Sequence, residues 1–384
     1  MLLTMPSGRT MGAPIATPTT FTDLAPAAAG SAVTANDLEY NVGAAVALHR
    51  RTAFFQGLAG AQNIATSTWT PISVGEIVDY HAGHSDSSNP SRVAADSTPA
   101  GDDWYLCVGM VPLGSAASGA GIAGFRLNGG TIYEGAKLPL GSGHAATMMA
   151  CELLRVQTGS SQYVEMMAYQ NSGGTIATQS STTKVPQFAM RWACSNTGDL
   201  VAAPSFPRTW TADDLLTASL AGAGQVPLNT HIRDVVRWLR FPPAARVDSR
   251  TTTQTLTSGA WTSIQMPAGS FDNYDGHSTV TNNTRYTAPR PGLYFVYGLA
   301  AVNEPVGATG YRASRLAVNG TTFYAGTSCE PGPSSLGTAL PACAQIRLNA
   351  GDYVEIQMRP QGNNVTVKSG TGDSSRLIVV WRGL

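Results

Sequence analysis

The chain has little charge, few lysines and no long apolar run. Only 12% of its 384 residues are charged, with 24 Lys plus Arg against 24 Asp plus Glu, so the formal net charge is zero. A chain without a basic excess has no general means of neutralising phosphates, which argues against nucleic-acid binding. No segment reaches the about 18 apolar residues of a membrane-spanning helix. The first residues also lack the charged and apolar stretches of a secretory signal, so none is expected.

Cysteine chemistry is sparse as well. The five cysteines include no CxxC pair, and their odd number fits neither a zinc site nor a complete disulfide framework. Cys107, Cys151 and Cys194 lie among apolar residues and are expected to be buried thiols. Cys329 and Cys343 flank a loop rich in Pro, Gly and Ser. They could close it with a disulfide, or stay free in a reducing compartment.

Most of the sequence consists of one unit that occurs twice. Five blocks recur in the same order at a nearly constant offset of about 190 residues, which indicates one duplicated unit with small insertions and deletions. The blocks are 69–72 and 261–264, 80–85 and 274–278, 128–135 and 319–326, 154–165 and 346–355, and 191–192 and 380–381.

Each unit begins with a helical pattern and continues with short strands. Residues 34–37 resemble a capping box before an apolar stripe, and residues 229–239 repeat apolar positions at helical spacing before Pro242 and Pro243. The runs 294–297, 353–358 and 377–381 are β-type, with Gly, Asn and Pro between them. These patterns predict an all-β protein with two tandem jelly-roll β-sandwich domains, each preceded by a short helical linker. The predicted boundaries are an extended arm 1–33, a helical linker 34–60, a first jelly roll 61–195, a linker with a helix 196–250 and a second jelly roll 251–384.

The second unit has a recognisable series of motifs. Residues 286–295, the Asn319-Gly320 turn and residues 348–354 occur in an order that resembles the jelly roll of the complement first-component head, related to tumour necrosis factor. The resemblance implies a homotrimer whose axis is lined by aromatic and aliphatic side chains. The alternative is that these side chains fill the core of one protomer. The candidate trimer contacts are Tyr105, Trp192, Tyr294, Tyr297, Tyr353, Trp381, Ile232, Val236 and Leu239.

A second resemblance concerns residues 208–234, which are similar to segments in minor tail proteins of phages that infect actinobacteria. The count of 21 Arg against three Lys fits the GC-rich genomes of such hosts. The resemblance implies a virion structural protein, a minor tail or tail-fibre component that is assembled in the bacterial cytoplasm and attaches to the host surface. Residues 1–33 would order on other virion proteins. A capsid or vertex decoration protein is the alternative, and a glycan-depolymerising enzyme is less favoured.

Candidate sites are few, and the sequence has no G-x-S-x-G, HExxH or P-loop motif. We therefore expect no enzyme and no cofactor. His84 and His277 recur beside serines and could hold a metal on a threefold axis, although a structural role is favoured. Asp272 and Asp275 could bind calcium, but a solvated turn is the simpler interpretation. Tyr133, Tyr311 and Tyr324 lie near Gly-rich turns and could contact a host glycan.

Overall fold

The computed structural model describes residues 52–57, 60–79, 83–86, 88–95, 102–141, 145–157, 162–180, 184–196, 241–251, 253–333 and 335–383. We call the two jelly-roll units the first head and the second head. Strands of the first head are β1 Thr52–Gly57, β2 Asn63–Ile64, β3 Thr70–Pro71, β4 Val74–Asp79, β5 Gly83–Asp86, β6 Asn89–Ala95, β7 Asp102–Leu113, β8 Ala120–Leu127, β9 Ile132–Pro139, β10 Ala146–Gln157, β11 Tyr163–Gln170, β12 Ile176–Ala177 and β13 Gln187–Ser195. Strands of the second head are β14 Ala244–Asp248, β15 Thr255–Leu256, β16 Thr262–Ser263, β17 Ala268–Asp272, β18 Arg285–Thr287, β19 Gly292–Asn303, β20 Arg312–Val318, β21 Thr322–Cys329, β22 Thr338–Leu348, β23 Tyr353–Pro360, β24 Val365–Val367 and β25 Arg376–Gly383.

The two heads share one strand order. One sheet runs β10-β7-β13-β1-β4 in the first head and β22-β19-β25-β14-β17 in the second. The other sheet runs β9-β8-β11-β6 in the first head, and in the second it contains β21-β20-β23 with β18 and β16 paired to β23. We call these the seam sheet and the outer sheet of each head. Two antiparallel sheets with this order form a jelly roll, so the predicted fold class is confirmed.

The domain boundaries need correction at their amino-terminal ends. Strands β1 and β14 lie in the segments that were expected to be linkers, 34–60 and 196–250. Both belong to seam sheets, because β1 pairs with β13 and β14 pairs with β25 over five residues each. The helical patterns of the linkers, at 34–46 and 229–239, lie outside the described residues, as does the arm 1–33. No helix long and apolar enough to cross a bilayer occurs in the described ranges.

The Asn-Gly turn that links β8 to β9 recurs between β20 and β21. Asn128 and Asn319 both have φ of 51°, in the left-handed region that favours Asn and Gly. The side-chain Oδ1 of each accepts a hydrogen bond from a strand across the sheet, from Tyr163 N at 2.7 Å and from Tyr353 N at 2.9 Å. The same turn and the same bond in both heads give structural support to the duplication seen in the sequence.

Each head has its own core, and a third apolar cluster joins the heads. Strand β13 alternates between buried and half-buried residues until Trp192, after which every residue is buried. Strand β19 changes in the same way after Phe295, with continuous burial from Val296 to Val302. A strand that is covered on both sides loses the alternation of a half-exposed sheet. The covering partner is the other head, and the residues shared between them are Leu106, Cys151, Leu153, Ala193, Cys194, Ala244, Tyr297, Leu299, Ala301, Ala339, Ile378 and Val380.

A buried ionic network crosses this seam between the heads. Glu152 of the first head is 1% exposed and accepts hydrogen bonds from Arg246 and Arg376 of the second head. Arg246 also donates to Asp248 at 2.8 Å. Burial on its own would lower the pKa of Arg246, but the charge of Glu152 raises it above its ordinary value. Lys137 Nζ adds a bond to the Leu336 carbonyl at 2.9 Å. The heads are therefore joined by polar contacts as well as apolar ones.

Candidate functional site

The outer sheet of the second head presents arginines and aromatic rings on its solvent side. Along β23, Ile356 and Met358 point into the core, whereas Gln357 and Arg359 alternate with them and point outward. Neighbouring strands and the loops before them add further outward side chains. We define the arginine–aromatic face as Trp261, Tyr311, Arg315, Phe323, Gln357 and Arg359.

Arg315 lies at the centre of this face. Its guanidinium carbon is 4.1 Å from the centroid of the Trp261 ring and 3.6 Å from that of Phe323. Its Nε donates to Gln357 Oε1 at 2.8 Å. Two ring contacts and one hydrogen bond fix the orientation of the planar group, and Arg stacks on aromatic rings better than Lys can. The Nη atoms of Arg315 have no hydrogen-bond partner among the described residues.

Arg359 supplies a second positive charge on the same face. Arg315 lies opposite Gln357 and Arg359 lies opposite Ala313, so the two arginines are diagonal neighbours, with side chains on the order of 7–8 Å apart at their bases. Arg359 lies 5.9 Å from the Tyr311 ring centroid, and its buried Nε has no hydrogen-bond partner in the described part of the chain. Burial, followed by the positive charge of Arg359, lowers the pKa of Arg315 below its ordinary value.

Glu355, which lies on the same side of β23 as Gln357 and Arg359, already has hydrogen-bond partners. Glu355 is 9% exposed and accepts hydrogen bonds from the hydroxyls of Ser263, at 3.0 Å, and Thr284. No ion pair joins it to Arg315 or Arg359. The face therefore has an excess of positive charge beside two exposed rings, Phe323 at 47% and Tyr311 at 39%. Such a surface suits a ligand with both an apolar face and an acidic group.

Among the described residues of the first head, the equivalent positions form no such face, and one glycine explains much of the difference. Gly124 occupies the position of Arg315, since it lies opposite Met167, the counterpart of Gln357. A Cβ atom on Gly124 would lie 2.9 Å from the Tyr133 carbonyl oxygen and 3.1 Å from Ile132 Cγ2. Trp69, the counterpart of Trp261, packs against Tyr169 instead, with ring centroids 5.4 Å apart.

The three predicted glycan contacts separate in the structure. Tyr311 is exposed and belongs to the arginine–aromatic face. Tyr324 is half-buried and packs against the core of the second head. Tyr133 is half-buried and lies under Arg246 of the other head, with the guanidinium 5.2 Å from the ring centroid. The structure does not bring the three together, because Tyr133 lies in the first head, Tyr324 faces the core of the second and Tyr311 faces solvent.

The candidate trimer contacts need a similar correction. Tyr105 and Trp192 are part of the first core, and Tyr294 and Trp381 are part of the second. Their side chains therefore face the inside of their own head, as in the alternative interpretation. Tyr297 is fully buried in the seam between the heads of one chain. Tyr353 is half-buried beneath Arg285, at 4.4 Å. Ile232, Val236 and Leu239 lie outside the described residues.

The candidate metal ligands have other partners. Both ring nitrogens of His277 lie against backbone carbonyls, Nδ1 2.8 Å from Arg285 O and Nε2 2.7 Å from Met266 O. Asp272 accepts hydrogen bonds from the backbone of Tyr274 and His277, which makes it a turn-stabilising residue. Asp275 lies in the same turn, with φ of 52°. His84 lies in β5, whose side chains are outside the described part. Across the described ranges, no group of three metal-ligating residues occurs.

The cysteines and the remaining carboxylates also have structural roles. Cys107, Cys151 and Cys194 are buried thiols, as expected, and burial raises the pKa of each. Cys329 and Cys343 are both free, so no disulfide closes the loop between them. In the acidic pair 102–103, Asp103 is 6% exposed and accepts a hydrogen bond from the Trp192 indole at 3.2 Å.

Comparisons with known proteins give only distant structural likenesses. No family model matches the chain, and neither does any curated protein. Solved structures similar to part of it include the globular domain of zebrafish complement 1qA protein, at 16% identity and a TM-score of 0.27, covering 36% of this chain and 96% of that one. Murine APRIL at pH 5.0 is 13% identical over 36% of this chain and 98% of its own, with a TM-score of 0.28. Eiger TNF from S. frugiperda is 10% identical over 42% and 98%, also with a TM-score of 0.28.

The arginines of the face were missed in the sequence, although a signal for them existed. The duplication pairs Trp69 with Trp261, and it pairs the block that contains Ile132 with the block that contains Phe323. Following the duplication into the strands between these blocks would have placed Gly124 against Arg315 and Tyr169 against Arg359. At these two outward positions the first head has a glycine and a tyrosine where the second has arginines. Such replacements indicate a surface that differs between two copies of one fold.

Proposed function

We propose that the chain is a structural and attachment component of a bacteriophage virion, in a minor tail or tail-fibre position, that works as a homotrimer and contacts the host surface. The single observation that carries the attachment role is the arginine–aromatic face of the second head. An open face with oriented arginines and exposed rings is suited to binding rather than to chemistry. The similarity of residues 208–234 to phage tail segments supports the virion location.

Self-association is supported by an apolar strip beside the seam. Val108 and Met149 of the first head and Phe295 of the second pack against the seam cluster but remain partly exposed, and Met110 is 38% exposed. We propose that other copies of the chain cover this strip, in place of the aromatic residues that fill the cores. Three copies would carry three arginine–aromatic faces, and several weak contacts on one particle attach it far more firmly than one.

Two measurements test the proposal. Light scattering coupled to size exclusion should give a mass near three times the 40.0 kDa of one chain. The fluorescently labelled full chain should bind whole cells of some members of a panel of actinobacteria. A monomer that binds no cell in the panel would overturn the proposal. Antibody labelling of the capsid instead of the tail on virions would favour the decoration-protein alternative.

A further inference from the structure

The arginine–aromatic face has features that point to one class of ligand. Its two arginines lack ion-pair partners in the described structure, and they are close enough for the charge of one to affect the other. Two like charges side by side repel one another, so an anion between them relieves that repulsion as it binds. A neutral ligand would leave the repulsion in place.

The geometry of Arg315 determines how an anion such as a carboxylate would be bound. The rings of Trp261 and Phe323 both pack on its guanidinium, with centroids 4.1 Å and 3.6 Å from the central carbon, so its edge is the part that a ligand can approach without displacing a ring. A guanidinium edge matches the two oxygens of a carboxylate, which it can bind with two parallel hydrogen bonds. Because Gln357 already holds Nε, the two Nη atoms form that open edge.

The rings around the arginines provide the second element of recognition. Phe323 and Tyr311 expose 47% and 39% of their surface, one beside each arginine. A flat, partly exposed ring offers apolar area to the C–H face of a pyranose. On this sheet, therefore, rings that can hold sugar rings alternate with charges that can hold acids.

We infer that the arginine–aromatic face of the second head binds an acidic polysaccharide, with a sugar carboxylate held between Arg315 and Arg359 and sugar rings packed on Phe323 and Tyr311. This inference rests on the proposed attachment function and names its ligand class. The first head does not share the site, because the backbone beside Gly124 fills the space that an arginine side chain would need.

The test uses the full chain and three immobilised polymers: polygalacturonate, neutral dextran and dextran sulfate. Surface plasmon resonance should show binding to polygalacturonate that weakens as salt increases, and no binding to dextran. Arg315→Gln should weaken the affinity about tenfold, the effect of losing one charge-assisted contact. Arg359→Gln should act in the same direction. Arg315→Lys keeps the charge but not the planar edge, so its affinity should fall between those of the wild type and Arg315→Gln.

A matched control is present in the other head. Arg92 stacks on Tyr163 at 4.2 Å, as Arg285 stacks on Tyr353 in the second head. Arg92→Gln removes the same charge from an arginine–tyrosine stack and should leave polygalacturonate binding unchanged. Thermal unfolding of each variant shows whether the fold is intact. Equal affinity in Arg315→Gln and the wild type would overturn the inference.

The other outcomes separate this inference from the proposed function. Equal binding of dextran would show a site for neutral sugars, and preference for dextran sulfate a general polyanion surface; either overturns the carboxylate assignment. Binding to none of the three polymers overturns it as well. If the chain nevertheless binds whole cells, only the ligand class is wrong. If it binds no cells either, the attachment function also fails.

Discussion

The two heads of this protein have the same fold but different outer sheets. They share strand order, the Asn-Gly turn and a Tyr–Trp pair across neighbouring seam-sheet strands, Tyr105 with Trp192 and Tyr294 with Trp381. They differ on the outer sheet, where Gly124 in one head corresponds to Arg315 in the other. After a duplication, positions that hold the fold together tolerate few residue types, whereas outward positions can change without loss of stability. The comparison therefore separates residues needed for folding from outward residues that are free to differ between the heads.

The seam between the heads should be the most sensitive place in the molecule. Glu152→Ala leaves Arg246 and Arg376 buried without their shared carboxylate, and we expect a loss of about 3–5 kcal/mol in the free energy of unfolding. Chemical denaturation of the full chain measures this. The exposed Glu330 provides the control, since Glu330→Ala should change stability by about 0.5 kcal/mol at most. Equal effects would mean that the seam does not bind the heads together.

A pair of equivalent glycines sharpens the comparison of the two cores. A Cβ atom on Gly298 would lie 2.7–2.9 Å from three atoms of Ile356, whereas on Gly109 it would meet the Met166 sulfur at 2.6 Å. The β-branched Ile356 cannot move aside as the flexible Met166 can. Gly298→Ala should therefore cost about 3 kcal/mol, near the top of the range for an overpacked core, and Gly109→Ala clearly less. A reversed order in denaturation experiments would contradict the stated packing.

Alanine at the site of divergence should destabilise the two heads by different amounts. Gly124→Ala puts a Cβ atom 2.9 Å from a backbone oxygen that cannot easily shift, and we expect a loss of about 2 kcal/mol. Arg315→Ala removes a partly exposed stacked side chain and should cost about 1 kcal/mol or less. Thermal unfolding compares the two variants directly. If Gly124→Ala were the milder change, lack of room beside Gly124 would not explain why the first head lacks the face.

Acid should weaken the seam, and we expect this change in stability to be the smallest of the four. Burial on its own would raise the pKa of Asp248, but hydrogen bonds from Arg250 and the charge of Arg246 lower it below its ordinary value. A carboxylate of this kind stabilises the fold above the ordinary Asp pKa of about 3.9, and the contribution disappears as the pH falls through the folded-state value. The stability difference between wild type and Asp248→Asn should therefore shrink below about pH 4. A difference that stays constant down to acid unfolding would contradict this.

The jelly-roll fold and the duplication were predictable because their signals are local or repeated. Turn residues, alternating strands and five recurring blocks are all visible along the chain. The seam had no such signal, since Glu152 meets Arg246 and Arg376 across 94 and 224 residues. The aromatic residues Tyr105 and Trp381 could not be assigned from sequence either, because a jelly-roll strand can be covered on either side. Tyr324 and Phe323 are neighbours on one strand, so their side chains point to opposite sides of the sheet. Tyr324 faces the core, whereas Phe323 is exposed.

The most direct test of the account is whole-cell binding by three matched forms of the full chain. On an actinobacterial strain that binds the wild type, Arg315→Gln should lose most of the bound fluorescence and Arg92→Gln should keep it. That result would place attachment on the arginine–aromatic face of the second head and not at the Arg92–Tyr163 stack of the first. Equal binding by all three forms, or loss only in Arg92→Gln, would contradict the central claim that the two heads share one fold and that the outer sheet of the second head carries attachment.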